Sequence, residues 1–161
     1  MNTHTAHIKT PLGITRIISD GEGILEISVL DTETAIENSE IIPSVLKKCI
    51  VQLEEYFEGK RTEFDIPLTP KGTTFQQKVW SELNKIPFGK TYSYLELSKK
   101  LGDVKAIRAV AAANGKNPLW IVTPCHRVIG SDGSLTGYAG GLWRKKWLLE
   151  HESPVKQQSL F

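Results

Sequence analysis

A cysteine and a histidine stand side by side in the segment 123–127, which reads Thr-Pro-Cys-His-Arg. The apolar run 119–122 precedes it and residues 128–130 follow, so the pattern predicts that Cys125 lies where a short buried strand meets a loop. The thiolate is the reactive form of cysteine, and a neighbouring imidazole or the cationic Arg127 would favour it. Inert core packing is the commoner role of a lone cysteine, but the polar residues beside Cys125 favour a reactive thiol in a partly solvated pocket.

The cysteine content argues against a disulfide framework. The chain of 161 residues has two cysteines, Cys49 and Cys125, which form no CxxC pair that would suggest a structural zinc site. With 40% hydrophobic and 24% charged residues, the composition is that of one globular domain or two small ones. The sequence shows neither a leader peptide nor a segment apolar enough to span a bilayer. We therefore expect a soluble, cytoplasmic protein that holds no metal and no other cofactor.

Charge is distributed unevenly along the chain. Residues 1–70 carry six Lys and Arg against twelve Asp and Glu, whereas residues 71–153 carry thirteen against six. A basic half indicates a polyanionic partner such as nucleic acid, from which the acidic half would be turned away. A basic face that is merely solvated is the simpler alternative, so the charge pattern alone is weak evidence.

The first half has the pattern of a small sheet with a helix. Alternating segments at about 7–10, 14–19 and 24–30 are separated by turn signals, which predicts an antiparallel meander. Helical spacing of apolar residues runs from Pro43 to Glu58 and includes Cys49, for which we expect core packing. The segment 64–72 contains two prolines and a glycine and has no helical period. We place the boundary there, giving domains at 1–70 and 71–153 and a tail at 154–161.

The second half predicts three helices that precede the cysteine. They span about 73–85, 93–101 and 104–114, and the last two are joined by a tight turn, as in a helix-turn-helix DNA reader. The third helix is rich in alanine and carries one long cation, Arg108. Small side chains let a helix press closely into a groove, which favours contact by shape over base reading. Simple packing of a helix pair is the alternative.

The chain after the cysteine predicts a hairpin turn at 130–134, a flexible loop at 137–141 and a closing helix at 142–152. That helix ends in His151 and Glu152, a second imidazole and carboxylate. Local pattern alone favours a solvated helix end for this pair.

Several of these motifs, with their spacing, resemble the O6-alkylguanine-DNA alkyltransferases. They are Pro124-Cys125-His126-Arg127-Val128, Asn117-Pro118, Arg108-Ala109-Val110, Ser93-Tyr94, Gly137-Tyr138 and His151-Glu152. The resemblance covers residues 73–152, whereas residues 1–70 match in length and element order only. The glycine-rich loop at 137–141 is most similar to bacterial, constitutive-type members.

The resemblance implies a mixed α/β (α+β) fold. Its amino-terminal part would be a ribonuclease H-like sheet-and-helix domain, and its carboxy-terminal part a winged helix-turn-helix-like domain. It also implies DNA repair in a single turnover: O6-alkylguanine, and O4-alkylthymine as well, would be flipped out of duplex DNA, and the alkyl group would pass irreversibly to the protein. The partner would be double-stranded DNA containing alkylated bases, bound by a monomer that contacts no membrane.

The resemblance further implies roles for individual residues. Cys125 would be the nucleophile, His126 the base acting through a water, and Glu152 the group that orients the imidazole. Tyr94 would donate a proton to the departing guanine, because an unprotonated purine anion leaves poorly, and Asn117 would hold the turn behind the active site.

Further residues are implied to contact DNA or the flipped base. Arg108 would fill the gap that the flipped base leaves in the duplex, a physical need because unstacking costs a few kcal/mol. The remaining DNA contacts would be Ala106, Ala109, Thr91, Ser93 and Arg127. The substrate pocket would be lined by Tyr138, Ala139, Val128 and Trp120, together with the backbone carbonyls of Cys125 and Val128.

Two other functions stay open at this point. One is a DNA-binding protein without transfer activity, against which the presence of Cys125 argues. The other is a small cysteine hydrolase built on Cys125, His126 and Glu152, which would leave the basic half and Arg108 unexplained. A hydrolase would turn over repeatedly on model esters, whereas a suicide protein would stop after one event.

Overall fold

The computed structural model describes residues 2–31, 37–135, 138 and 140–154. The chain divides into two compact units. The first comprises Met1–Lys71 together with Pro118–Trp120, and the second comprises Gly72–Asn117 and Ile121–Phe161. The segment Pro118–Trp120 therefore belongs to the first unit, although its chain neighbours belong to the second. The predicted tail falls largely outside the described residues, since 155–161 are not among them.

The first unit is built on the predicted antiparallel meander, which is confirmed. Strands β1 (His4–Thr10), β2 (Gly13–Ser19) and β3 (Ile24–Leu30) lie in the order β1-β2-β3. The backbone of β3 also bridges two segments outside the meander, through Ile24 to Leu68 and Ile27 to Leu119. The second bridge explains why Pro118–Trp120 belongs to this unit: the Ile27 amide donates to the Pro118 carbonyl, and the Trp120 amide donates to the Ile27 carbonyl.

Helix α1 (Ser44–Phe57) completes the first unit and confirms the predicted helix. Gly59 follows its end with a φ of 76°, a conformation that glycine adopts without a steric penalty. One face of the helix is buried, as its apolar spacing requires; that face consists of Leu46, Cys49, Gln52, Leu53 and Tyr56.

The second unit begins with two well-capped helices. Helix α2 (Thr74–Leu83) starts with a capping box, in which the Thr73 hydroxyl accepts from the Gln76 amide and the Gln76 side chain accepts from the Thr73 amide. The short strand β4 (Tyr92–Ser93) leads into α3 (Tyr94–Lys100), where Ser93 and Glu96 form the same reciprocal pair. Both helix starts were predicted from the sequence.

The helix-turn-helix arrangement is also present. A 3-10 turn (Val104–Ala106) follows α3 and leads directly into α4 (Ile107–Gly115). Val110, Ala113 and Asn114 of α4 are buried, whereas Arg108, Ala109 and Ala112 are exposed. The alanines of this helix therefore divide between a packed face and an open one.

The predicted strand before the cysteine is wrong. Residues 119–122 are buried as expected, but they turn, and only Leu119 makes an isolated bridge. Ile121 has a φ of 71°, which is rare and strained for a β-branched residue. Cys125 then opens a 3-10 turn (Cys125–Arg127), and strand β5 (Val128–Ile129) follows and pairs in parallel with β4.

Helix α5 (Leu142–Glu152) closes the second unit. The unit's core consists of Val79, Trp80, Leu83, Ile86, Leu97, Val110, Ala113, Cys125 and Val128. The turn that carries the cysteine is thus part of the core and held by its packing. No helix in the described part of the chain is long and apolar enough to cross a bilayer.

Candidate active site

Cys125 is buried more deeply than the sequence suggests. Its residue is 7% exposed and His126 is fully buried, so the predicted partly solvated surroundings are wrong. Burial alone raises the pKa of the Cys125 thiol, because a thiolate loses its hydration there. Three groups offset part of that rise without reversing it, so the pKa of Cys125 stays above its ordinary value: hydrogen bonding from Asn117, the positive charge of Lys145 and hydrogen bonding from Tyr138. The site is therefore dry but polar around the sulfur.

Two asparagines hold the backbone around the cysteine. The Asn117 Nδ2 donates to the Thr123 carbonyl at 2.7 Å, which is the turn-holding geometry expected of it. The Asn114 Nδ2, from helix α4, donates to the Cys125 carbonyl at 3.4 Å and is a longer contact. This contact of Asn114 was not predicted from the sequence. An asparagine on the apolar face of α4 was the signal that could have indicated a buried hydrogen bond there.

His126, Arg127 and Glu152 form a buried ionic cluster. The Nε2 of His126 lies 2.7 Å from Oε2 of Glu152. Arg127 binds both carboxylate oxygens of Glu152, with Nε to Oε1 at 2.7 Å and Nη2 to Oε2 at 3.1 Å. Burial would raise the pKa of Glu152, but the contacts to His126 and Arg127 outweigh burial and hold this pKa well below its usual range. Glu152 therefore stays ionised at neutral pH.

The second ring nitrogen of His126 is available for chemistry. Nδ1 is buried and has no hydrogen-bond partner among the described residues. With Nε2 held by Glu152, this nitrogen is the one that can exchange a proton, directly or through a water.

The ionic cluster corrects two expectations. The solvated helix end that local pattern favoured for Glu152 is wrong, because this residue is 3% exposed and fully engaged. The predicted DNA contact of Arg127 also does not fit: its side chain is buried, and Nη1 donates to the Ile86 carbonyl while the other nitrogens bind Glu152. His151 lies apart from the cluster and stacks on Trp147 at 4.8 Å.

Lys145 is a buried charged residue of this region that was not predicted from the sequence. It is fully buried, and its Nζ donates to the Val128 carbonyl at 2.7 Å. Burial lowers the pKa of Lys145 to about 8, while the charge of Cys125 acts in the opposite direction. The sequence does contain a signal for its burial. Lys145 shares the helical spacing of Leu148, Leu149 and Glu152, which places it on the buried face of α5.

Two tyrosines flank the same region. Tyr94 and Tyr138 are half-buried against the core of the second unit. The Nζ of Lys145 lies 6.0 Å from the ring centroid of Tyr94 and 5.9 Å from that of Tyr138. Gly140 passes so close to Tyr138 that an added Cβ would lie 3.1 Å from its ring. Ala139, predicted to line the pocket, and Gly137 lie outside the described residues.

The other predicted pocket residues have clear structural settings. Val128 pairs with Tyr92 in the parallel ladder, and its carbonyl already accepts from Lys145. A carbonyl has two lone pairs, so the Val128 oxygen can accept a second hydrogen bond. Trp120 is buried in the first unit, and its role as a pocket residue stays a prediction.

The predicted DNA-contacting residues are mostly on the surface. Arg108, Ala109 and Thr91 are exposed and Ala106 is half-buried. Ser93 is half-buried and its hydroxyl caps α3. Across residues 2–31, 37–135, 138 and 140–154, no group of three or more His, Cys, Asp or Glu side chains is placed to bind a metal ion.

Both units match models of one protein family. Residues 4–70 match the ribonuclease-like domain of 6-O-methylguanine DNA methyltransferase, and residues 74–154 match its DNA-binding domain.

Individual relatives align over nearly the whole chain. A methylated-DNA–protein-cysteine methyltransferase of Methanosarcina acetivorans is 41% identical over 154 residues, covering 91% of this chain and 96% of the relative. The constitutive protein of that name from Bacillus subtilis is 42% identical over 146 residues, covering 87% and 88%. The crystal structure of Mycobacterium tuberculosis OGT in complex with DNA is 41% identical, with a TM-score of 0.82 and coverage of 93% and 94%.

Proposed function

Because this chain belongs to the 6-O-methylguanine DNA methyltransferase family, we propose that it repairs DNA by moving the alkyl group of O6-alkylguanine irreversibly onto Cys125. It is a methyltransferase that acts on methylated DNA and uses a cysteine of the protein as acceptor. The identity of that cysteine is carried by one observation. Cys125 is buried among Asn117, Lys145 and Tyr138, all of which favour its thiolate.

The transfer is a displacement at a saturated carbon. The sulfur of the Cys125 thiolate attacks the alkyl carbon in line with the C–O6 bond, a C–S bond forms, and the electron pair of the broken bond stays with guanine. A proton from Tyr94 neutralises the departing guanine. The product is a stable thioether on Cys125, so each protein molecule reacts once.

His126 is the base that generates the thiolate. Its Nδ1 is buried without a partner among the described residues, while Nε2 is bound to ionised Glu152. A water between Nδ1 and the sulfur would carry the thiol proton to the imidazole, and the carboxylate would stabilise the imidazolium that results. Arg127 fixes Glu152 through two hydrogen bonds and so sets the orientation of the imidazole.

The substrate reaches this buried sulfur as a flipped base. A nucleotide inside a duplex cannot bring its alkyl group to a residue that is 7% exposed. In this proposal Arg108, exposed on α4, occupies the vacated position in the duplex, and Ala109, Ala106, Thr91 and Ser93 lie along the DNA backbone. The carbonyls of Cys125 and Val128, together with Tyr138, receive the base. O4-alkylthymine is a second substrate of the same pocket.

Binding to DNA is expected to be salt-sensitive and tolerant of sequence. Phosphate neutralisation by Lys and Arg dominates such binding, and the exposed face of α4 offers little for base reading. We place the protein in the cytoplasm as a monomer, in keeping with two unpaired cysteines.

Intact-protein mass spectrometry tests the reaction directly. The protein is incubated with duplex DNA that contains one O6-methylguanine, and the modified peptide is then mapped. We expect one methyl group per protein, located on Cys125, and none in a Cys125→Ala variant. A protein that binds the lesion duplex but stays unmodified would instead be a damage-binding protein, and repeated turnover of model esters would indicate a hydrolase.

Base flipping has its own test in Arg108→Ala. This change should slow repair of duplex DNA at least about 10-fold while reaction with free O6-benzylguanine is unchanged, since only the duplex requires the vacancy to be filled. Lys105→Ala, which removes another exposed cation just before α4, is the matched control and should weaken binding only through salt-dependent contacts. Equal losses on both substrates would exclude the intercalating role.

A further inference from the structure

The strongest feature that the proposed reaction leaves unexplained is a buried cation on α5, the helix that packs against the turn of Cys125. Lys145 is fully buried in helix α5, although lysine is rarely buried unless its charge is compensated. Its Nζ donates to the Val128 carbonyl at 2.7 Å. Burying a charged lysine costs desolvation free energy, which indicates that its charge has a role at this position.

Each packed element around Lys145 contributes an identifiable group. The turn at Cys125–Arg127, which carries the thiol, packs against α5. Strand β5 brings the Val128 carbonyl, and α3 brings the ring of Tyr94. The ring of Tyr138 lies at a similar distance. Among these groups, Cys125 is the one whose negative charge favours the ammonium form of Lys145.

We propose that Lys145 is a positioning residue that stabilises the negatively charged sulfur of Cys125 and holds the Val128 carbonyl beside it. This inference deepens the proposed function, since it says what favours the thiolate at a site where burial opposes it. Electrostatic attraction is reciprocal: the ammonium favours the thiolate and the thiolate favours the ammonium. In a dry site this attraction is stronger than it would be in water.

Alkylation then has a built-in consequence. Transfer converts the sulfur to a neutral thioether, which removes the charge that favoured the ammonium form of Lys145. Without the attraction of the negatively charged sulfur, the buried ammonium of Lys145 is less stable and loses its proton more readily. The spent protein therefore binds its Lys145 proton less tightly than the unreacted protein.

The pH profile of Cys125 labelling by iodoacetamide tests the proposal without DNA. The thiolate displaces iodide from this reagent, so the rate follows thiolate formation whether or not Cys125 is the repair nucleophile. Lys145→Met keeps most of the buried stem and removes the charge. We expect the midpoint of the profile to move up by about one pH unit, with a labelling rate roughly 10-fold lower at pH 7.

Lys146→Met is the matched control. It removes a neighbouring lysine whose side chain is 44% exposed and pairs with Glu150 at 4.0 Å, and it should leave the profile unchanged. A purely structural role of Lys145 predicts a different result: the rate would fall by the same factor at every pH. That outcome, or an unmoved midpoint, would overturn the proposal.

A second measurement covers the case in which Lys145→Met does not fold. Protein labelled with 13C at the lysine ε position reports the protonation of Lys145 directly by NMR. In Cys125→Ser, which has no thiolate, we expect Lys145 to lose its proton at lower pH than in the unsubstituted protein. Identical titration of Lys145 in the two proteins would show that the sulfur and the ammonium are not coupled.

Discussion

The two cysteines of this protein are both buried, yet their surroundings differ in kind. Cys49 is fully buried on the inner face of α1, and burial alone raises the pKa of its thiol to about 12. Cys125 is 7% exposed in the second unit, and burial raises the pKa of its thiol as well, but there Asn117, Lys145 and Tyr138 offset part of the rise. We therefore expect the polar groups around the sulfur, and not the depth of burial, to distinguish the proposed nucleophile from a cysteine that only packs.

The difference also has a structural origin. Cys49 lies on the buried face of a regular amphipathic helix, which packs against the strands of the meander. Cys125 lies in a 3-10 turn, and the groups that favour its thiolate come from the segment after α4, from α5 and from the loop before α5. A polar site inside a core thus depends on several elements meeting at one turn.

Alkylation rates should show the largest effect of this contrast. At pH 7 a thiol with a pKa of about 12 is ionised in about one molecule in 100,000, so Cys49 should not react with iodoacetamide while the protein is folded. We expect Cys125 to be labelled first. Cys49 should be labelled only after denaturation, when the pKa of each thiol returns to the ordinary range for cysteine. Peptide mapping of a time course measures both rates, and labelling of Cys49 at a comparable rate in the folded protein would contradict the comparison.

Local sequence signals predicted much of the frame around this site. The helix starts at Thr73 and Ser93, the meander and the core position of Cys49 each depend on a few neighbouring residues. Such features need no knowledge of the rest of the fold. The helix-turn-helix pair was predicted for the same reason.

The polar interior of the site could not be predicted in this way. Glu152 resembles a solvated helix end in sequence, but it is buried because His126 and Arg127, 26 and 25 residues away, bind its carboxylate. Lys145 resembles any exposed lysine until α5 is seen to turn it inward toward Val128. Likewise, the apolar run at 119–122 suited a strand, but only Leu119 pairs, with Ile27. Each failure concerns a contact between residues that are distant in the chain.

Glu152→Gln tests the buried ionic cluster that adjoins Cys125 in the chain. Loss of the carboxylate charge leaves Arg127 buried without its ion pair, and breaking such a pair costs about 3–5 kcal/mol. Denaturant unfolding at pH 7 measures the loss. Glu150→Gln, on the same helix with a side chain 38% exposed, is the control and should cost less than about 0.5 kcal/mol.

The same cluster predicts a pH dependence of stability. The pKa of Glu152 is lower in the folded protein than in the unfolded chain, so its contribution is complete above the ordinary glutamate range and is lost as the pH falls toward the folded value. The stability difference between the unsubstituted protein and Glu152→Gln should therefore shrink below about pH 4. A difference that is independent of pH would assign the loss to packing and not to charge.

Cys49→Ala should have the smallest effect and would complete the contrast. Removing one sulfur from a fully buried position costs roughly 1–2 kcal/mol, since the cavity forfeits its contacts. Val51→Ala, at a position 52% exposed on the same helix, is the matched control and should change the free energy of unfolding by less than about 0.5 kcal/mol. The rate of Cys125 alkylation should be unchanged in both variants, because neither residue contributes to the groups that favour its thiolate. If Cys49→Ala slowed that rate while the protein stayed folded, the two cysteines would be coupled, and Cys49 would have a role beyond packing in its own unit.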